Sequence, residues 1–337
     1  MKAIAVFIML CFGLYTASAQ NADEFFKKAV SEGKQGNYDA AIKDYTKVIA
    51  LSPENAAAWN NRGQLQFMQG KYPEALNDFN KSLALKPILN EALLNRGAVH
   101  SRMGNYKAAM DDYNKLLEQL PEKAEIWYNR GTLYIKTKEY DKAIPDFTRA
   151  IELNASYAEA FCNRGLARAR GKDYKGAIED YSKAIKLKPN YSDALLNRGA
   201  ARTNTQDYTG AVEDYTRAIA LKPGNANAYF NRGTARSKNK DFQGAITDLD
   251  TAINLQPDNV DAISNRGVAK MNLKDYKGAL EDLNKAIAVK SDYAMAWLNR
   301  GLVHLLLDDK TNACADLQKA VDLGEDRAGD VMKENCK

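Results

Sequence analysis

The tripeptide Asn-Arg-Gly occurs eight times in this chain of 337 residues, and each copy begins 34 residues after the previous one. An asparagine amide carries both hydrogen-bond donors and an acceptor, so it can match a peptide unit without reading a side chain. Repeated along a surface, such amides would favour binding of an extended chain. The eight asparagines are Asn61, Asn95, Asn129, Asn163, Asn197, Asn231, Asn265 and Asn299.

The arginine of the tripeptide recurs together with an aspartate. When each tripeptide glycine is counted as position 8 of a unit, position 23 is aspartate and position 7 is basic in all nine resulting units. Pairing each aspartate with the next unit's cation would leave Asp316 alone, whereas pairing inside a unit leaves none alone. We therefore predict partly buried ion pairs within units, with a charged ladder for an acidic ligand as the alternative. The pairs include Arg62 with Asp78, Arg96 with Asp112, and Arg164 with Asp180.

Motifs of catalysis and metal binding are absent from the sequence. It contains no HExxH, GxSxG, phosphate-binding glycine loop or paired-cysteine motif. Its two histidines, His100 and His304, occupy the same position in units six apart, so each is better explained as filling a half-buried helix seam. The net charge is +5, and acids and bases alternate along the chain, which argues against nucleic acid as a partner. We predict that the protein is not an enzyme and uses no metal or cofactor.

Each unit is predicted to be a helix hairpin. Apolar residues at positions 3, 4 and 10, and again at 20, 21, 24, 27 and 28, follow helical spacing in two runs broken near position 15. A single hairpin cannot bury its apolar face, so the units must stack on one another. The units are 22–55, 56–89, 90–123, 124–157, 158–191, 192–225, 226–259, 260–293 and 294–327.

The glycine at position 8 needs a structural reason, because glycine inside a helix costs roughly 1 kcal/mol relative to alanine. Position 20 is alanine in every unit. Two such small residues allow the helices of a hairpin to approach closely. We predict this contact between Gly63 and Ala75.

The segment AWNNRGQLQFMQGKYPEALNDFNKSLALKP, residues 58–87, resembles the tetratricopeptide repeat family. It has the family's aromatic residue at position 4, glycine at 8, alanine at 20, aromatic residue at 24 and proline at 32, and the resemblance extends over residues 22–327. The resemblance implies an all-α, right-handed superhelical solenoid of helix-turn-helix repeats. The family prefers leucine at position 7, where this chain has arginine or, in the first unit, Lys28.

In that family, position 6 of the first helices lines a concave surface, where stacked asparagines hold extended peptides by their backbone. The resemblance carries this role to the eight asparagines, while the first unit departs with Lys27. Position 5 varies and would set selectivity, with Tyr128 and Phe230 among its members. The alternative is that each asparagine bonds neighbouring groups and sets the packing angle between units.

The N-terminal residues 1–19 combine Lys2, an apolar run and the small residues Ala17 and Ala19, which is typical of a secretory signal cut after Ala19. We expect an exported protein, periplasmic or extracellular. Removal of Cys11 with the signal would leave an odd number of cysteines.

The C-terminal residues 328–337 are predicted to form a capping helix on the last hairpin. Antiparallel packing would bring Cys314 in that hairpin next to Cys336 in the tail, so we predict a disulfide between them. Cys162 would then be the remaining thiol, on the groove.

Two surface features leave alternatives open. Leu302, Leu305 and Leu306 form either a ligand or self-association patch, or a surface covered by the cap. The cations at position 11 either meet nearby acids, such as Glu179 and Glu213, or bind an anionic polymer. These cations are Arg168, Arg202, Arg236 and Lys270.

Taken together, the patterns predict a non-catalytic scaffold that binds a protein or an extended peptide segment in a concave groove. The alternative is a structural adaptor in a cell-envelope complex, docking through convex faces or ends. Outside residues 1–19 no stretch is apolar enough to span a membrane. The sequence leaves the oligomeric state open.

Overall fold

The computed structural model describes residues 20–336, and the regular elements in this range are nineteen α-helices. The predicted signal segment, residues 1–19, lies outside the described residues. Helix α1 covers residues 20–34. The others are α2 (Tyr38–Leu51), α3 (Ala56–Met68), α4 (Tyr72–Leu85), α5 (Asn90–Arg102), α6 (Tyr106–Gln119), α7 (Ala124–Lys136), α8 (Tyr140–Leu153), α9 (Ala158–Arg170), α10 (Tyr174–Leu187), α11 (Ser192–Asn204), α12 (Tyr208–Leu221), α13 (Ala226–Lys238), α14 (Phe242–Leu255), α15 (Val260–Asn272), α16 (Tyr276–Val289), α17 (Ala294–Leu306), α18 (Lys310–Asp322) and α19 (Asp326–Asn335).

The helices form consecutive hairpins, each made of an odd-numbered helix and the even-numbered helix that follows it. The chain divides into two compact units, one ending at Ala160 and the other beginning at Phe161. Within each compact unit, even-numbered helices also pack against the odd-numbered helix of the next hairpin, as α4 does against α5 and α10 against α11. Stacked helix hairpins therefore confirm the predicted all-α repeat fold.

The glycine at position 8 makes room for the side chain at position 24. A Cβ built on Gly97 would lie 2.7 Å from the ring of Tyr113, closer than real Cβ atoms come. At Gly63 the nearest atoms would be the Phe79 ring at 3.1 Å and the carbonyl oxygen of Ala75 at 3.2 Å. The predicted approach to Ala75 is present, but the glycine mainly accommodates the neighbouring aromatic ring.

The small alanines and the position-24 side chains make up the core of each compact unit. Phe79 and Tyr113 lie in one continuous cluster of the first compact unit, together with Leu93, Val99 and Leu116. In the second compact unit, Leu249 and Leu283 take the equivalent places in a cluster with Ile253, Ile263 and Val303. Because each cluster draws on two or three successive hairpins, no hairpin buries its apolar face alone.

The last helix, α19, packs on α18 at the end of the second compact unit. It begins at Asp326, two residues before the predicted start of the cap. Cys314 and Cys336 form the disulfide that joins the helix to the last hairpin. The tail is thereby fastened in two ways, by packing and by a covalent bond.

The capping helix α19 covers two of the three leucines near the end of α17. Leu302 and Leu305 are partly buried in a cluster that includes Val331 and Met332 of α19, so the cap covers them. Leu306 remains 56% exposed. No helix within residues 20–336 combines the length and apolarity needed to cross a membrane.

Candidate functional site

The cation at position 7 and the aspartate at position 23 form an ion pair inside every hairpin. Arg62 donates from Nε and Nη2 to the Asp78 carboxylate at 2.7 and 2.8 Å. The same two-pronged contact joins Arg96 to Asp112 at 2.9 and 2.6 Å, and Arg164 to Asp180 at 3.0 and 2.7 Å. In the first hairpin, Lys28 lies 3.3 Å from Asp44. The aspartates are almost fully buried, so removing the cation would leave a buried charge at a cost of about 3–5 kcal/mol.

The same arginines also reach the preceding hairpin, a contact that the sequence argument did not include. Arg62 Nη1 donates to Thr46 Oγ1 at 3.0 Å, and Arg96 Nη1 donates to Asn80 Oδ1 at 2.9 Å. The position-25 partner is a short polar residue in each observed case, which is the sequence signal that could have revealed it. The further pairs are Arg130 with Asn114, Arg198 with Ser182, Arg232 with Thr216, Arg266 with Asp250, and Arg300 with Asn284.

Arginine at position 7 therefore links two helices of its own hairpin to the second helix of the hairpin before it. In Arg62, Nε and both terminal nitrogens donate within the protein. The guanidinium also lies over the Trp59 ring, 4.9 Å from its centroid. Leucine could supply only the apolar contact, which explains the departure from the family pattern.

The position-11 cations contact different acids from those predicted. Arg168 Nη1 donates to the Asp180 carboxylate at 2.9 Å and to the Gly176 carbonyl oxygen at 3.2 Å. Arg168 therefore does not take Glu179 as its partner, because the helix turns Glu179 outward while Asp180 faces the hairpin interior. The equivalent partners are Asp214 for Arg202, Asp248 for Arg236 and Asp282 for Lys270. Glu213 is thus also a wrong prediction as a partner of Arg202.

In the first compact unit, Asn95 and Asn129 line one hollow of about 470 Å³. They come from α5 and α7, the first helices of successive hairpins, so position 6 of these units opens onto a shared surface. Tyr128, Arg102 and Lys136 line the same hollow. Asn61 lines a separate hollow of about 270 Å³. In the second compact unit, Asn197 lines a hollow of about 300 Å³ with Arg170 and Asn204.

The hydrogen bonding of the asparagines differs along the chain. Asn61 donates to the Tyr45 hydroxyl at 3.2 Å, and Asn265 donates to Thr234 Oγ1 at 3.2 Å, so these two amides bond the preceding hairpin. Within residues 20–336, five other amides make no side-chain hydrogen bond. They are Asn95, Asn129, Asn197, Asn231 and Asn299.

The exposure of the asparagine side chains also differs, and one of the eight is buried. Seven are half-buried, but Asn299 in the last hairpin is only 8% exposed. Other groove-side residues of α17, among them Met295 and Leu302, pack in one cluster with the α19 residues Ala328 and Val331. The end of the chain is therefore closed by the protein itself, and Asn299 is not available as predicted.

The position-5 residues have unequal roles. Tyr128 lines the hollow of Asn95 and Asn129, and its ring lies 4.7 Å from that of Tyr157. Phe230 is half-buried and packs against the core of the second compact unit. Cys162, predicted on the groove, is buried at 3% exposure because its side chain joins the core cluster around Tyr181.

Two cations stand at one side of the hollow that contains Asn95 and Asn129. Lys136 Nζ donates to Ser101 Oγ at 2.9 Å and to the Ser101 carbonyl oxygen at 3.2 Å. Burial, and then the neighbouring Arg102, lower the pKa of Lys136. Within residues 20–336 neither cation has a carboxylate partner, while Glu125 lines the same hollow. This hollow therefore combines two amides, two cations and one carboxylate.

The two histidines are both half-buried. Burial lowers the pKa of His100, which is half-buried in α5. His304 Nδ1 lies 3.2 Å from the Asp309 carboxylate in the turn that follows α17. Within residues 20–336, no group of three or more histidine, cysteine or acidic side chains is placed to hold a metal ion.

Comparison with known protein families gives matches along most of the chain. Models described as tetratricopeptide repeat match residues 26–87, 91–122, 124–157, 158–191, 230–292 and 264–328, and a model described as TPR repeat matches residues 201–240. No curated protein sequence matched the chain.

Solved structures share the fold at low sequence identity. A tetratricopeptide repeat protein from Parabacteroides merdae is 24% identical with a TM-score of 0.56, and the match covers 76% of this chain and 98% of that chain. The C-terminal part of a TPR repeat-containing protein from Cytophaga hutchinsonii is 19% identical with a TM-score of 0.57, covering 70% and 98% respectively. YrrB, described as a TPR protein with an unusual peptide-binding site, is 24% identical with a TM-score of 0.51, covering 55% and 95%.

Proposed function

Because the chain belongs to the tetratricopeptide repeat family, we propose that it is a non-catalytic scaffold that binds an extended peptide segment of another protein along its position-6 asparagines. One observation carries the proposal. Asn95 and Asn129 line a single hollow, and neither amide is used by another described side chain. The similarity to YrrB supports only the fold at 24% identity, so the argument rests on this hollow.

The chemistry of the hollow suggests how a peptide would lie in it. Each asparagine amide can donate to a peptide carbonyl and accept from a peptide N–H. Arg102 and Lys136 favour an acidic side chain at one end of the bound segment, and Glu125 disfavours a second one. The ring of Tyr128 offers an apolar contact in the same hollow. The expected ligand is therefore an extended segment with one acidic residue beside apolar ones.

Peptide selection against the purified chain, followed by affinity measurement with the selected peptide, tests this function. The double variant Asn95→Ala with Asn129→Ala should weaken binding at least about 10-fold, since two hydrogen bonds of about 1 kcal/mol each are lost. The matched control replaces Asn105 and Asn190, which are exposed and make no side-chain hydrogen bond within residues 20–336, and should leave the affinity unchanged.

Thermal unfolding of the same variants separates the groove from a structural role of the amides. Equal unfolding temperatures with weakened binding support the peptide groove. Unchanged binding with a lowered unfolding temperature would refute it, and would favour the structural adaptor that docks through convex faces or ends.

We also propose that the protein is exported. The pattern of residues 1–19 supports this proposal, and the Cys314–Cys336 disulfide is of the kind that persists in oxidising compartments. Mass spectrometry of the protein from fractionated cells should find a mature chain that begins at Gln20 outside the cytoplasm. An intact N-terminus in the cytoplasmic fraction would contradict export.

A further inference from the structure

Another hollow, of about 570 Å³, lies against α7 and α8 in the first compact unit. It shares no lining residue with the hollow of Asn95 and Asn129. Its lining includes two aromatic side chains, two carboxylates and a proline inside a helix. The full lining is Trp127, Arg130, Tyr134, Asp141, Lys142, Pro145, Asp146 and Arg149.

In the hairpins from α9 to α14, the equivalent space beside positions 19 and 23 is occupied by an arginine side chain. In the hairpin of α9 and α10, the position-11 side chain is Arg168, and its Nη1 donates to the carbonyl oxygen at position 19 and the carboxylate at position 23. Arg202 makes the same two contacts in the hairpin of α11 and α12, and Arg236 makes them in that of α13 and α14. A guanidinium thus occupies this place in three successive hairpins.

The hairpin of α7 and α8 has no such guanidinium. Its position-11 residue is Tyr134, and its residues at positions 19 and 23 are Lys142 and Asp146, both of which line the hollow. The only cation within ion-pair distance of Asp146 among residues 20–336 is Arg130. Burial raises the pKa of Asp146 against the opposing effect of Arg130, as expected for a carboxylate short of positive charge.

The three cations that line the hollow each pair with an acid, two of them with glutamates outside the hollow, so Asp141 is the lining charge that is left without a partner in the described part of the chain. Within residues 20–336 the Asp141 carboxylate has no ion-pair or hydrogen-bond partner. Pro145 has no N–H to donate to the carbonyl of Asp141 in the preceding turn, which leaves a further acceptor at this wall. The engaged pairs are Arg130 with Asp146 at 2.8 Å, Lys142 with Glu139 at 2.6 Å, and Arg149 with Glu122 and Glu152 at 3.4 and 3.2 Å.

We propose that this hollow binds the side chain of an arginine from a partner protein, whose guanidinium takes the place that Arg168 occupies in the hairpin of α9 and α10. The group donates to the free acceptor side of the Asp146 carboxylate and to the Asp141 carboxylate, and its plane lies against the Tyr134 ring. Arginine fits better than lysine, because Arg168 reaches both a carbonyl and a carboxylate, whereas Lys270 in the equivalent place pairs with Asp282 alone.

Nuclear magnetic resonance titration of the full chain with Nα-acetylarginine methylamide tests the site. The indole N–H of Trp127 and the backbone amides of Lys142 and Asp146 should shift and saturate. The citrulline counterpart has nearly the same shape but no charge, and should bind at least 10-fold more weakly. Equal binding of the two probes, or shifts that do not saturate, would overturn the proposal.

Two variants test the assignment by internal replacement. Tyr134→Arg supplies the missing cation from within the chain, so it should weaken probe binding at least 10-fold while the unfolding temperature stays the same or rises. Gln66→Arg is the matched control, since it adds the same cation at position 11 of the hairpin of α3 and α4, away from the hollow. It should leave binding unchanged. Undiminished binding by a folded Tyr134→Arg protein would refute the site.

The exposed carboxylate of Asp141 offers a further variant, whose expected effect on probe binding is smaller. Asp141→Asn lies on the surface, so it keeps the fold and should weaken the arginine probe several-fold without affecting the citrulline probe. The double variant at Asn95 and Asn129 should bind the arginine probe as the unaltered chain does. Loss of binding in that double variant would place the probe in the peptide groove instead and overturn the proposal.

Discussion

In the hairpins of residues 56–157 the buried position-23 aspartate pairs with one cation, whereas in those of residues 158–293 it pairs with two. Asp112 contacts Arg96, while Asp214 contacts both Arg198 and Arg202. The first helix of each hairpin supplies the cations in both regions. The regions thus bury the same carboxylate with different amounts of compensating charge.

The second cation is accompanied by changes at two other positions. In the hairpin of α9 and α10, Asp173 accepts a hydrogen bond from the Gly176 amide and caps α10, while Arg168 Nη1 donates to the Gly176 carbonyl oxygen. The corresponding positions in the hairpin of α7 and α8 are Glu139 and Lys142. In three successive hairpins, arginine at position 11 therefore occurs together with aspartate at 16 and glycine at 19.

The comparison teaches that a single buried group can constrain several distant positions. A Cβ on Gly176 would lie 2.3 Å from Asp173 Oδ2, so a side chain there would make the Asp173 carboxylate turn away from its present position. Where the second cation is absent, positions 16 and 19 are free to vary. The hollow that we assign to a partner's arginine occurs in the region with this freedom.

Removing the position-7 arginine is expected to have the largest effect on stability, and the effect should differ between the two regions. Arg130→Leu leaves Asp146 buried without a cation and should destabilise its hairpin by about 3–5 kcal/mol. Arg198→Leu leaves Asp214 with Arg202 at 2.9 Å, so the loss should be about 1–3 kcal/mol. Native-state hydrogen exchange within each hairpin measures both losses, since repeat proteins open locally. Equal losses would show that the second cation does not compensate.

Placing a side chain at position 19 should have the next largest effect. Gly176→Ala makes the Asp173 carboxylate move and should weaken its cap, with an expected loss of about 1 kcal/mol in urea unfolding. Lys142→Ala is the matched change at position 19 of the other region and should stay within about 1 kcal/mol, because only an exposed pair with Glu139 is lost. A Gly176→Ala protein as stable as the original would refute the coupling.

The pH dependence of Asp146 tests the effect of having one cation beside the buried carboxylate. Because burial raises its pKa in the folded state, its contribution to stability is fully present below the ordinary aspartate pKa and is lost as pH rises through the raised value. The carboxyl ¹³C signal of Asp146 should therefore titrate above the ordinary aspartate range. In Tyr134→Arg the midpoint should fall, because a second cation favours the carboxylate. An unmoved midpoint would mean that the new cation does not reach Asp146.

The smallest effects are expected in the turns at position 15, which has positive φ in both regions. Gly70 and Gly104 hold this place at φ +76° and +79°, whereas Lys172 and Lys240 hold it at +66° and +64°. A side chain in this conformation costs about 1–2 kcal/mol, partly offset by the greater chain entropy of glycine when unfolded. Lys240→Gly should thus stabilise by up to about 1 kcal/mol and Gly70→Ala should destabilise by about 1 kcal/mol. Shifts of the same sign in urea midpoints would contradict this account.

The repeat fold could be predicted because its period is written directly in the sequence. Counting units also predicted the pair of Arg62 with Asp78, and antiparallel packing predicted the disulfide of Cys314 with Cys336; the structure contains both. The candidate site was predictable only in part. Asn95 and Asn129 share a hollow, whereas Asn299 is buried.

Residue spacing gave wrong predictions where the packing between helices determines a side chain's partner or its burial. Spacing predicted Glu179 as a partner of the position-11 cations, and only the packed hairpin shows that Asp180 faces Arg168. Similarly, Cys162 shares a repeat position with Tyr128 but is small enough to enter the core.

The sequence by itself determined the helical hairpins, their number and the pairing of each position-7 cation with its position-23 aspartate, because these follow from periodicity along one chain. The tertiary structure alone decided that the arginines bond the preceding hairpin, which amides stay open and where a guanidinium-sized hollow remains. These depend on which side chain fills a space bounded by several helices. Such a space is the joint product of residues far apart in sequence, so no local pattern records it.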